Sequence, residues 1–139
     1  MNSQKKIASS FRDPSGFLFY RDNQLLRQIN KSYQDNYDFF ISSGLYGKLK
    51  SENLIIRHQE LNNKKGLTEE AYKIIAPQII PFISYPYEWS FSQLKDAALI
   101  TLKIQKIAMD YGLSLKDASA YNVQFYQGSP ILIDSLSFD

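Results

Sequence analysis

The fold turns on Asp117-Ala118-Ser119-Ala120-Tyr121-Asn122, followed by Val123-Gln124-Phe125-Tyr126, Gln127-Gly128-Ser129 and Pro130-Ile131-Leu132-Ile133-Asp134. A polar loop leads into two short apolar runs separated by a glycine-containing connector, the pattern of a β-hairpin. The paired strands of a hairpin bring the residue entering the first strand close to the residue leaving the second. Here those residues are Asn122 and Asp134, with Asp117 in the loop ahead of them.

Upstream of this loop the spacing of Leu94, Ala97, Ala98, Thr101, Ile104, Ala108 and Tyr111 predicts a long amphipathic helix, with Lys95, Lys103, Lys106 and Asp110 on its wet side. Ser90 and Gln93 have capping-box spacing at its start, and Gly112 stops it. Before the helix lies an aromatic connector, Tyr85-Pro86-Tyr87-Glu88-Trp89. Its rings either line a pocket for a planar ligand or pack as core or as a domain interface.

Nearer the start, Phe17-Leu18-Phe19-Tyr20-Arg21 and Gln24-Leu25-Leu26-Arg27-Gln28-Ile29 flank Asp22-Asn23, a second hairpin. Ser32 reads as an N-cap for a helix carrying Tyr33, Tyr37, Phe40 and Ile41 on one face and ending at Gly44, with a short further turn over Leu45 to Leu49. Leu54 to Leu61 and Tyr72 to Ala76 read as strands, and residues 1–10 as a flexible tail. The expected fold is α+β: a small, mostly antiparallel sheet with packed helices, in one domain spanning residues 11–139.

Composition narrows the chemistry. The 139 residues contain no Cys and one His, His58. That excludes a disulfide scaffold, a thiol nucleophile and every thiolate metal site, and it fits a cytoplasmic protein. A net charge of +2 is not the footprint of a nucleic-acid binder. No stretch is apolar and long enough for a membrane span, and MNSQKKIASS has no apolar signal region. The aromatic share, 14%, is high, so dense packing or a ligand-facing surface is expected.

Asp117, Asn122 and Asp134 resemble the catalytic-loop Asp, the Asn and the metal-binding Asp of protein-kinase-like folds, especially the aminoglycoside-phosphotransferase branch. In that chemistry the loop Asp takes the acceptor's hydroxyl proton, while the Asn and the second Asp hold Mg²⁺ against nucleotide phosphates. Hard oxygen ligands suit Mg²⁺. The resemblance implies a kinase-like N-lobe followed by the start of the second lobe. It also implies Mg²⁺ and ATP or another nucleotide as ligands. Asp117 would be catalytic, Asn122 and Asp134 would hold the metal, and Arg27, Tyr85 and Tyr87 would contact the cofactor. Leu115 stands where the pattern has His, Ser135-Leu136 follow Asp134 in place of Phe-Gly, and no glycine-rich phosphate loop lies near Gly16. As loop residues, Asp and Asn also make caps and Asx turns, so a structural role stands beside the chemical one.

A second resemblance covers nearly the whole chain. Phe11-Arg12-Asp13-Pro14-Ser15-Gly16, Ser43-Gly44-Leu45, Ile80 to Trp89, Leu115 to Phe125 and Pro130 to Phe138 are similar to the N-terminal region of a bacterial family. Its members are usually described as class I S-adenosylmethionine-dependent methyltransferases, some as nodulation-protein-related. This implies a downstream methyltransferase domain that carries S-adenosylmethionine, since no glycine-rich motif for that cofactor is found here. Three functions are open: a kinase-like N-terminal module for ligand recognition or regulation, inactive by itself; a small-molecule phosphotransferase using Mg²⁺ and ATP; and a non-catalytic interaction domain. Leu136 and Phe138 near the end are expected to form an exposed apolar patch or a dimer contact.

Overall fold

Asp22 and Asn23 both take the left-handed conformation, with φ of 52° and 65°. This is the type I′ turn, whose twist matches that of the strands it joins. The strands are β2 (Gly16–Arg21) and β3 (Gln24–Asn30), with Phe19 opposite Leu26 and Phe17 opposite Gln28. The computed structural model describes residues 5–6, 14–62, 65–80, 84, 86–116 and 122–139. They group into two compact units: the chain up to Tyr37 with Arg57–Gln78, and Asp38–Ile56 with Ile79–Asp139. The class is α+β, and both sheets are antiparallel.

The first unit is built on a five-stranded sheet in the order β1-β2-β3-β5-β4. Its outermost strand, β1 (Lys5–Lys6), falls in the segment expected as a tail and pairs with Tyr20 and Phe19. β5 (Ala71–Pro77) lies between β3 and the short β4 (His58–Glu60). One face buries Phe17, Phe19, Leu26 and Ile74, with Leu61, Leu67 and Ala76 packed on them. Each such side chain contributes about 1.5–3 kcal/mol by leaving water. Gln28, opposite Ile74 and fully buried, satisfies its amide locally. Its Oε1 accepts from the Leu67 and Thr68 amides at 2.7 and 3.3 Å, and its Nε2 donates to Asn30 Oδ1 and Thr68 Oγ1.

A 3₁₀ turn at Lys31–Tyr33 leads into α1 (Gln34–Ser42). Asn30 occupies the cap position where Ser32 was expected, because the Ser32 hydroxyl donates instead to the Pro14 carbonyl. Ile41, expected inside, is 36% exposed.

In the second unit, Gly44 ends α1 and α2 (Leu45–Ser51) follows. α3 (Phe91–Asp110) starts with the anticipated capping box: the Ser90 hydroxyl accepts from the Gln93 amide, and the Gln93 side chain accepts from the Ser90 amide. Gly112, at φ 84°, closes it. β6 (Val123–Tyr126) and β7 (Ser129–Leu132) pair through a two-residue turn at Gln127-Gly128, so Ser129 belongs to the strand. The core gathers Phe40, Leu45, Leu49, Ile55, Ile104, Ala108, Val123 and Leu132. Phe138 stacks on Phe40 at 4.9 Å between ring centroids.

Three expectations are corrected here. Leu54 to Leu61 is not one strand: Ile55 bridges Leu132, while only His58–Glu60 pairs with β5. The inner face of α3 is Ala97, Ile100, Ile104 and Ala108, whereas Leu94 and Ala98 point outward. Both sides of the helix carry apolar residues, so periodicity alone does not choose between them. Finally, no exposed apolar patch forms at the chain end. Leu136 and Phe138 are fully buried, because Ser114 and Asp139 exchange both backbone hydrogen bonds and Leu115 bridges Phe138.

Candidate functional site

The hairpin register continues one step beyond the β6–β7 ladder, where the Asn122 carbonyl accepts from the Ile133 amide at 2.8 Å. Asn122 and Asp134 therefore lie at the open end of one hairpin, each held by the backbone next to it. Asp134 Oδ1 accepts from the Leu136 amide at 2.9 Å, an Asx turn that folds the chain inward towards buried Ser135, Leu136 and Ser137. The Asn122 Nδ2 is buried and has no hydrogen-bond partner among the described residues. An amide so placed is costly unless something meets it. As an N–H donor it would take an acceptor; turned to present its oxygen, it would take a cation.

An Asp carboxylate and an amide turned to present its oxygen are both hard oxygen donors. A carboxylate has about four lone-pair sites, and the Leu136 amide takes one of those of Asp134. Among the described residues, no three His, Asp or Glu side chains converge as a ready cage. Asp117 and Tyr85 lie outside the described residues.

Tyr87 sits in a 3₁₀ turn (Pro86–Glu88) and is 79% exposed. Trp89 packs as core: its ring meets Phe125 edge-on at 5.0 Å, and its Nε1 donates to Ser84 Oγ at 2.8 Å. Ser84 is in turn clamped by Gln124 of β6, a buried side chain that donates to the Ser84 carbonyl and accepts from its amide. The connector is thus tied to the hairpin strand that starts at Asn122.

In the first unit, Arg27 is buried in mid-strand, between Leu18 on β2 and Ile75 on β5. The register sets Glu60 next to Ile75 on the far side. Around Glu60 a polar cluster forms that its sequence positions do not announce. The Tyr37 hydroxyl donates to Glu60 Oε2 at 2.6 Å, and Lys73 Nζ reaches Glu60 Oε1 at 3.3 Å. The Tyr37 oxygen also lies 2.9 Å from His58 Nε2. Since the hydroxyl proton goes to Glu60, that nitrogen is the donor. Burial pushes the Glu60 carboxyl up, but the Tyr37 hydrogen bond and the Lys73 charge outweigh it and hold the group below its ordinary value. The signal that could have found half of this cluster is the period of two in β4, which puts His58 and Glu60 on one face.

No protein-family model matches the chain. It is 34% identical over 134 residues to nodulation protein NoeA of Rhizobium meliloti (strain 1021). The match covers 95% of this chain and 28% of NoeA, so the chain spans little more than a quarter of that relative's length. No helix among the described residues is long and apolar enough to cross a membrane.

Proposed function

We propose that this chain is a kinase-like ligand-recognition module of a larger NoeA-like protein. In this reading it binds a nucleotide through Mg²⁺ held by Asn122 and Asp134, and it does not itself transfer a phosphoryl group. The supporting observation is the open end of the β6–β7 hairpin, where a buried Asn amide with no partner among the described residues stands in register with the strand that delivers an Asp. The order of elements is compatible with the same plan: an antiparallel sheet, a connector, a long capped helix, a loop, a hairpin and an Asp.

Bound Mg²⁺ would supply charge neutralisation for phosphate oxygens. Asn122 and Asp134 would hold it, with the Asx turn at Leu136 fixing the Asp134 carboxylate. Leu115 and Ser135-Leu136, which replace the His and the Phe-Gly of active kinase-like enzymes, favour recognition over turnover. The methyltransferase activity implied by the family resemblance belongs, in this reading, to a further domain of the larger protein, and the cell compartment is the cytoplasm. Calorimetric titration with ATP, with and without Mg²⁺, tests the module. Mg²⁺-dependent binding without phosphoryl transfer to hydroxyl or amino acceptors is expected. Turnover abolished by Asp117→Ala would favour a phosphotransferase instead.

A further inference from the structure

We infer that residues 135–139 form a strap that couples the Asp134 carboxylate to the end of α3, so that a ligand bound at Asp134 also fixes the chain at residues 114–116. The inference rests on the reading of Asn122 and Asp134 as a Mg²⁺ site. The strap begins at the site itself. Asp134 Oδ1 accepts from the Leu136 amide at 2.9 Å, so one bond sets both the direction of the carboxylate and the direction of the chain after it. From there the chain enters the interior, where Leu136, Ser137 and Phe138 are fully buried. Phe138 stacks on Phe40 with the ring planes 14° apart.

The far end of the strap grips the chain just after α3. The Ser114 amide donates to the Asp139 carbonyl at 2.8 Å, and the Asp139 amide donates to the Ser114 carbonyl at 2.9 Å. The Lys116 amide donates to the Ser137 carbonyl at 2.7 Å. In such an antiparallel ladder the Leu115 amide points away from the strap, and α3 takes it. Gln105 Oε1 accepts from it at 2.6 Å, while Gln105 Nε2 donates to Ser114 Oγ at 3.3 Å. The amides of Ser114, Leu115 and Lys116 are thus held alternately by the strap and by α3. Releasing the Asp134 turn removes the strap's anchor at the site. Coupling of this kind is reciprocal: if an open strap misplaces the carboxylate and weakens the ligand, the ligand opposes opening by the same factor.

Amide hydrogen exchange of the 139-residue chain, read residue by residue by NMR, tests this with Mg²⁺-ATP as the probe. In the free chain, Asp134→Ala removes the acceptor of the turn. It should speed exchange at Ser114, Lys116 and Asp139 by about tenfold or more, and by more than at Ile104 in α3. Asp134→Asn keeps an acceptor for the turn and should leave these amides within about threefold of the wild type. Mg²⁺-ATP at about 100 times its Kd should slow the same amides of the wild type by up to about 100-fold, because only the closed strap binds. Equal exchange in the free wild type and Asp134→Ala overturns the inference. So does an increase no larger than at Ile104, which is a general loss of stability, or an Asp134→Asn that loosens the strap as far as Asp134→Ala. A wild type that binds Mg²⁺-ATP with these amides unchanged overturns the coupling and leaves the Mg²⁺ site standing. A wild type that takes up no Mg²⁺-ATP in calorimetry overturns the site and the coupling together.

Discussion

Gln124 grips Ser84 by both of its backbone groups: its Nε2 donates to the Ser84 carbonyl at 2.8 Å, and its Oε1 accepts from the Ser84 amide at 2.9 Å. The amide thus acts as a short length of strand across 40 residues of sequence. Gln124→Leu keeps the volume but leaves both backbone groups without their partner. A loss of about 1–3 kcal/mol is expected in urea unfolding, from two desolvated and unpaired groups. A change within 0.5 kcal/mol, the size of an ordinary surface substitution, would contradict the clamp.

The Tyr37–Glu60–Lys73 cluster makes stability depend on pH with a definite sign. Because the folded carboxyl lies below its ordinary value of 4.5, its contribution is full above that pH and fades as pH falls through the folded value. Glu60→Gln should therefore cost about 1 kcal/mol at neutral pH, a modest figure because the carboxylate is one-third exposed. The gap between wild type and variant should close below pH 4.5. Denaturation midpoints of both proteins across acid and neutral pH would show it. A gap that widens in acid would contradict the assignment.

Two glycines should respond in opposite ways to alanine. A Cβ on Gly66 would lie 2.1 Å from Ala71 Cβ and 2.8 Å from Gln28 Oε1, so Gly66→Ala must displace the loop that Gln28 holds. A loss of about 1–3 kcal/mol is expected from overpacking. Gly47 lies inside α2 with nothing within 4 Å of its Cβ direction. Gly47→Ala should therefore stabilise by roughly 0.5–1 kcal/mol through helix propensity. Thermal melts of the two variants decide both signs, and a stabilised Gly66→Ala would remove the close packing described for that loop.

The parts of the fold legible in the sequence are those written in neighbouring residues. Asp22-Asn23 announces a two-residue turn, Ser90 and Gln93 a capping box, and Gly112 a helix end, while Gln127-Gly128-Ser129 announces a hairpin whose turn is one residue shorter than it reads. What the sequence hides depends on distant partners. Gln28 and Gln124 look like surface glutamines until loops some 40 residues away supply their hydrogen bonds. Leu136 and Phe138 look exposed until Ser114 pairs with Asp139. Phe91, Leu94, Leu102 and Met109 share α3 with Ile100 and Ile104, and only the surroundings separate the outward set from the inward one. The placing of Asn122 and Asp134 at the open end of one hairpin was readable because a hairpin has a fixed register. The cluster around Glu60 was not, since it joins a helix to two strands.

Calorimetric titration of Mg²⁺-ATP into the wild type, Asp134→Ala and Asn122→Ala tests whether Asn122 and Asp134 hold the metal. The wild type is expected to bind only when Mg²⁺ is present. Asp134→Ala should lose at least tenfold, the loss typical of removing one charged ligand or its close support from a metal site, and Asn122→Ala less. Equal affinity in all three proteins, or no binding by the wild type at ~1 mM nucleotide, where even a ligand of 4 kcal/mol is half bound, would contradict it.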